Sequence, residues 1–311
     1  YSWENLENME NVVLNNNINV VIQYDPYDDC PGTYRYYVTG EVDRGTNYPY
    51  YPDDIVEIMD EQDMADPTVL TDFINWSTLY YPADHYLLIL RNHGGGWREE
   101  DLGSKGIIWD DTNHSFLTMS ELAQGLDGVN KHIDILGFDA CGMQMLEVAY
   151  AISEGLSDVP DYLVASEGVG WTPAWTYGDI LYLLTNTPMV GETAICQAIV
   201  DGYISNLAGN PNYPATLSVL DLSVGNILST VNSFANALIS STYSDEIATA
   251  RTSAQSYYGH ENEHKDLYDF ASRIYSNVTD CQSEAQAVMD LVNSLVIYED
   301  HVNNGVDDSH G

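Results

Sequence analysis

Strand-length apolar runs alternate with helix-period segments through the first two-thirds of the chain, and no other feature narrows the available folds as much. Residues 18–24 (INVVIQY) read as a buried strand, and residues 34–38 as a second, β-branched and aromatic and bounded by glycines. Asp66-Pro67 supplies an N-cap and a proline at the first helical position, with Val69, Phe73, Trp76 and Tyr80 at helical spacing behind it. Residues 85–91 (HYLLILR) form a continuous apolar run that ends on Asn92-His93-Gly94-Gly95-Gly96-Trp97. Residues 106–109 make a short strand, and Thr118 with Glu121 spells a capping box. Residues 133–138 (IDILGF) end on Asp139-Ala140-Cys141, and a helix bearing Met145, Val148, Ala149 and Ile152 on one face is expected directly after them. Residues 162–165 (YLVA) end on Ser166-Glu167.

Strands that alternate with helices imply an α/β fold with a mostly parallel sheet covered on both faces. Ligands in such sheets sit beyond the carboxyl ends of the strands. His93, Asp139, Cys141 and Glu167 each lie just past a strand end, so sequence order alone puts them on one rim. Further on the chain reads as helical, near 177–186, 191–208, 223–241, 245–257, 266–276 and 281–298, with one strand at 215–220. Without an internal repeat or a low-complexity linker, residues 1–311 are expected to form one domain. Its core sheet would span about 14–190, with a mostly helical remainder at 191–298 and a polar, irregular tail at 299–311.

Charge removes whole classes of function. The chain has 48 acidic and 9 basic residues, a net charge of -39, so it lacks the Lys/Arg footprint that phosphate or anionic lipid would need. No apolar run approaches the ~18 residues of a membrane span, and 44% apolar residues suffice for a core. Charged residues are only 18% of the chain, so the imbalance reflects missing Lys and Arg rather than added acid. Adaptation to salt, life outside the cell and avoidance of an agent that attacks Lys and Arg all fit. Cys30, Cys141, Cys196 and Cys281 show no CxxC pair or zinc spacing. Three glycosylation acceptor patterns, at Asn75, Asn113 and Asn277, favour an extracellular or cell-surface setting.

Thiol catalysis requires an exposed sulfur that can become thiolate, a base within reach and amide donors for the oxyanion. Cys141 is expected at a helix start, where the dipole favours thiolate, with the small Ala140 leaving room for substrate. His93 holds the equivalent place on an earlier strand, and Gly94, Gly95 and Gly96 let backbone approach a carbonyl closely.

Residues 91–97 (RNHGGGW) and 136–143 (LGFDACGM) resemble the histidine and cysteine motifs of the clostripain-like peptidases, in the clan of caspases, gingipains and legumain. Residues 81–86 (YPADHY), 163–167 (LVASE) and 266–271 (DLYDFA) extend the likeness over nearly the whole chain. The resemblance implies a caspase-like three-layer sandwich and cleavage of protein or peptide substrates after Arg or Lys. It implies Cys141 as nucleophile, His93 as base and acid, and the amides of Gly94 and Cys141 as oxyanion hole. Asp139 would take the basic side chain, with Glu167 adding to that pocket. No cofactor is required for the chemistry, though the family allows a calcium requirement. Self-processing would fall in the loop after the histidine, with Lys105 as the expected site. Family strands beyond both ends would be missing here, leaving open sheet edges suited to homo-assembly.

Rival readings exist. His260-Glu261-Asn262-Glu263-His264 matches the HExxH spacing of zinc peptidases, with Glu284 as a conceivable third ligand. Acid clusters at 25–29, 53–54, 99–101 and 110–111 lack EF-hand spacing and read as solvated loops. A non-catalytic extracellular assembly subunit on a peptidase fold is the alternative from another class.

Overall fold

The computed structural model describes residues 2–26, 32–40, 54–97, 106–172, 175–187, 189–257, 264–303 and 305–311. Helix α1 (Ser2–Glu10) packs on a side sheet of β1 (Val21–Tyr24), β2 (Thr33–Tyr37) and β3 (Ile55–Met59), all antiparallel. Helix α2 (Pro67–Tyr80) leads into β4 (Leu87–Arg91), followed by a second small antiparallel sheet of β5 (Gly94–Gly96), β6 (Gly106–Asp110) and β7 (Ser115–Leu117). Next come α3 (Met119–Asp127), β8 (Ile135–Asp139), α4 (Leu146–Gly155), β9 (Tyr162–Ala165), α5 (Tyr177–Asn186), α6 (Glu192–Leu207) and β10 (Ala215–Asp221). Helices α7 (Ile227–Ser240), α8 (Ser244–Ser253), α9 (Leu267–Asn277) and α10 (Gln282–Leu295) precede the final strand, β11 (Val296–Val302).

The central sheet runs β11-β10-β9-β8-β4. Strands β4, β8 and β9 are parallel, and β10 runs antiparallel to both its neighbours, so β10 alone is reversed. Every residue of β8 is buried, because its side chains feed two cores in turn. Leu136 and Phe138 join the core under α2, α3 and α4, whereas Ile135 joins the opposite core with Ile199, Val200 and Tyr203 of α6. This is the expected three-layer α/β sandwich. A satellite core among the late helices centres on Phe234, Ile274 and Val288.

Several expectations need correction. The early strand runs and residues 106–109 do not join the central sheet. The links β1–β2, β5–β6 and β6–β7 are shorter than the dozen or more residues of a helical crossover, and such links allow antiparallel pairing only. The central sheet also extends past residue 190, through β10 and β11. The tail expected to be irregular contains an edge strand instead, and α10 stops at Leu295, where Val296 and Ile297 bring β-branched side chains that favour extended backbone. On α2 the buried row is Leu70, Ile74 and Thr78, not the row starting at Val69. Trp76 instead lies under the guanidinium of buried Arg35, 4.6 Å from its ring centroid.

Candidate active site

Strands β4 and β8 pair in parallel with Arg91 opposite Asp139. His93 and Cys141 are each two residues further on, so both follow the same rung at the carboxyl edge. Gly94 then passes hard against the cysteine turn. A Cβ built on Gly94 would lie 2.5 Å from the carbonyl oxygen of Cys141 and 2.9 Å from Cβ of Ala140. Ala140 is itself 4% exposed and belongs to the core, so its small size admits the Gly94 backbone rather than substrate.

Asn92 holds the histidine segment. Its Oδ1 accepts from the backbone N–H groups of His93, at 2.5 Å, and Trp109, and its Nδ2 donates to the Trp109 carbonyl. Ile108 donates to the His93 carbonyl at 3.1 Å while adopting φ 62°, a left-handed conformation that costs a β-branched residue free energy. The His93 side chain is exposed.

The cysteine turn is laced to the segment after β9. Gly142 donates to the Gly168 carbonyl at 2.7 Å, Gln144 to that of Ser166 at 3.0 Å, and the Gly170 N–H points at Cys141 Sγ from 3.3 Å. Helix α4 begins only at Leu146, so Cys141 does not sit on a helix N-terminus and gains no thiolate stabilisation from one. Burial pushes its thiol above the usual range and nearby Asp139 adds to this, against the opposing Gly170 N–H. The balance favours thiol over thiolate. Cys141, Cys196 and Cys281 are all free, and Cys30 lies outside the described residues.

Asp139 is 9% exposed. Its Oδ2 accepts from Arg91 Nε at 3.0 Å and from the Tyr177 hydroxyl at 2.7 Å. Burial raises its carboxyl, while Arg91 and the Tyr177 hydroxyl pull it back. The phenol of Tyr177 is held well above its ordinary range, chiefly by burial and then by Asp139, and so acts as the donor. Glu167 is enclosed rather than open to the rim. Its Oε1 accepts from Ser218 of β10, its Oε2 is buried without a partner, and burial lifts its pKa to about 7. Sequence reasoning missed Arg91, Tyr177, Ser218 and Gly170. Only Arg91 carried a signal, as a charge closing an otherwise apolar strand run.

The expected processing site Lys105 lies outside the described residues, as do His260 and Glu261 of the zinc pattern. His264 belongs to no helix and Lys265 pairs with Ser256 across a bridge, so the continuous helix that HExxH requires is missing at its second histidine. Of the acid clusters, Asp110 and Asp54 are buried and hydrogen-bonded rather than solvated. Asp110 accepts from the backbone of Met64, Thr112 and Asn113, and buried Asp54 from Thr39. Two groups have ligand atoms within metal-binding range, His85 with Asp134 and Glu192, and His132 with Asp134 and Asp161. Both lie at the end of the sheet away from Cys141, where His85 already pairs with Asp134 and Glu192, and His132 with Asp161. Among the described residues no helix is long and apolar enough to cross a membrane.

Known proteins resemble this chain in sequence and in fold. Clostripain from Hathewaya histolytica is 40% identical over 129 residues, a match covering 39% of this chain and 24% of that protein. The chain thus matches about a quarter of the length of this curated relative. A secreted C11 cysteine protease from Bacteroides thetaiotaomicron, solved with an irreversible peptide inhibitor, superposes with a TM-score of 0.71 at 21% identity, over 98% of this chain and 81% of that one. An inactive zymogen C11 protease from Parabacteroides distasonis gives 0.69 at 22% identity, over 97% and 78%. These two likenesses speak to the fold. The profile of the clostripain family matches residues 1–309, with the histidine and cysteine strand ends inside it, and the chain belongs to that family.

Proposed function

We propose that this protein is a cysteine endopeptidase that cleaves peptide bonds after Lys or Arg. The supporting observation is the β4–β8 register, which sets His93 and Cys141 equally far beyond the paired Arg91 and Asp139. His93 takes the Cys141 proton as the sulfur attacks the scissile carbonyl carbon. The oxyanion that forms is met by the N–H groups of Gly94 and Cys141, and the close passage of Gly94 supports that role. His93 returns the proton to the leaving amine as the C–N bond breaks, leaving a thioester on Cys141. Water, deprotonated by His93, then releases the acid and restores the thiol. Side chains and backbone perform all of this without a cofactor.

Asp139 is the carboxylate that takes the substrate's cationic side chain, and Glu167 supports that wall from within. Cleavage of the chain's own backbone at Lys105, an extracellular location and assembly between copies through sheet edges complete the reading, with calcium as an ion the family allows rather than a participant in the chemistry. The decisive experiment is hydrolysis of Lys- and Arg-terminated reporter peptides by wild type and Cys141→Ala, with and without calcium. Wild-type turnover that vanishes in the variant is expected, and turnover that survives it would remove the proposal. Intact mass of wild type against Cys141→Ala tests the Lys105 step, since an uncut active chain excludes it.

A further inference from the structure

Asp139 is anchored through one of its two oxygens. Arg91 from β4 and Tyr177 from the first turn of α5 both donate to Oδ2, and among the described residues no hydrogen bond falls on Oδ1. Trp175 packs on β8 two residues before Asp139, lying 3.0 Å from where a Cβ on Gly137 would stand. A ligand can therefore meet only the part of this nearly buried carboxylate that Arg91 and Tyr177 leave uncovered.

The two basic side chains ask different things of a carboxylate. Guanidinium is a planar fork that pairs with both oxygens at once, whereas ammonium is a compact point charge that one oxygen satisfies. Building on the peptidase reading above, we propose that Arg91 and Tyr177 make this enzyme selective for Lys over Arg at the residue before the scissile bond. They do so by withholding Oδ2. A substrate guanidinium would have to share Asp139 with the Arg91 guanidinium, losing one arm of its fork beside a like charge. A substrate ammonium reaches Oδ1 uncontested. Arg91 is thus a positioning residue that acts through Asp139.

The test compares kcat and KM for matched Lys and Arg reporter peptides on wild type, Arg91→Met and Tyr177→Phe, with a thermal melt of each. Wild type is expected to favour Lys by about tenfold in kcat/KM, the scale of one lost charged contact. Arg91→Met should erase or reverse that ratio through a lower KM for the Arg reporter, and Tyr177→Phe should narrow it. If Arg91→Met does not fold, Tyr177→Phe carries the test. Wild type that cuts the Arg reporter as well as the Lys reporter overturns this inference and leaves the peptidase reading standing. Variants that depress both reporters in proportion also overturn it, because a structural role predicts that pattern. Turnover of neither reporter by wild type removes the peptidase reading and this inference together.

Discussion

Arg91 and Asp139 occupy the same rung of the ladder between β4 and β8, and their side chains meet across it at 3.0 Å. Every rung of that ladder joins residues 48 positions apart, which is also the offset from His93 to Cys141. The spacing of the two sequence motifs is therefore the register of two strands, and the expectations below follow from how tightly that register is enforced.

Gly94→Ala should damage both stability and activity. Its Cβ would sit 2.5 Å from the Cys141 carbonyl oxygen, a contact with backbone that no rotamer change relieves. Overpacking of this kind costs about 1 to 3 kcal/mol, and a displacement of about 1 Å at the site lowers turnover by on the order of a hundredfold. Urea denaturation and reporter kinetics on the same preparation check both. A stable, fully active variant would mean that the close passage of Gly94 does not matter.

Alkylation of Cys141 by iodoacetamide should rise with pH through neutrality, without an acidic plateau. Burial holds the thiol above its ordinary value of 9.0, so the thiolate fraction grows roughly tenfold per pH unit below that point. A preformed thiolate would instead give a flat rate between about pH 5 and 8. Cys196, pushed up to about 12 and fully buried, and buried Cys281 should stay unlabelled in the folded protein, as peptide mapping would reveal.

Much of this site was legible in the sequence. Residues 85–91, 133–138 and 162–165 could be read as strands because burial on both faces makes a strand apolar throughout, and the chemistry follows their ends. Other features depend on partners far away in the chain. Nothing local tells that β10 runs backwards, that β11 follows α10 directly, or that Tyr177 reaches Asp139. The gap between Cys141 and α4 was missed because Met143 and Met145 suit either a helix or a buried turn, and the segment 166–170 decides for the turn by pairing with it. Glu167 sits on the expected strand end, yet its direction was fixed by Ser218, on a strand whose place in the sheet sequence order does not reveal.

Glu167→Gln should flatten part of the pH dependence of stability. The folded chain holds this proton more tightly than the unfolded chain, so ionising Glu167 opposes folding. That cost is absent below the ordinary carboxyl value of 4.5 and complete above about 7. Its size is on the order of 3 kcal/mol. Wild type should therefore lose stability relative to the variant as pH rises from 5 to 8. Denaturant titrations at those two pH values test it, and parallel curves for the two proteins would contradict the assignment.

Arg35→Met should destabilise the attachment of the side sheet to α2 by only about 1 to 2 kcal/mol. Arg35 is buried and bonds Gln23, Glu57 and Asp72 while covering Trp76. Its carboxylate partners are 39% and 70% exposed, so they regain water when the guanidinium is removed, and methionine refills the volume. A loss beyond about 4 kcal/mol would show instead that a charge had been stranded. Reporter turnover at low temperature should be unchanged.

Because the β4–β8 ladder sets the register of the strands that carry His93 and Cys141, and β6 steadies the histidine segment through hydrogen bonds rather than through the link before it, that register does not depend on an unbroken backbone between β5 and β6. A backbone broken between β5 and β6 leaves two polypeptides whose strands share five rungs and a common core beneath them. The domain is in that sense already built as two complementing halves, one bringing the imidazole and the other the sulfur, held together by a ladder rather than by a peptide bond.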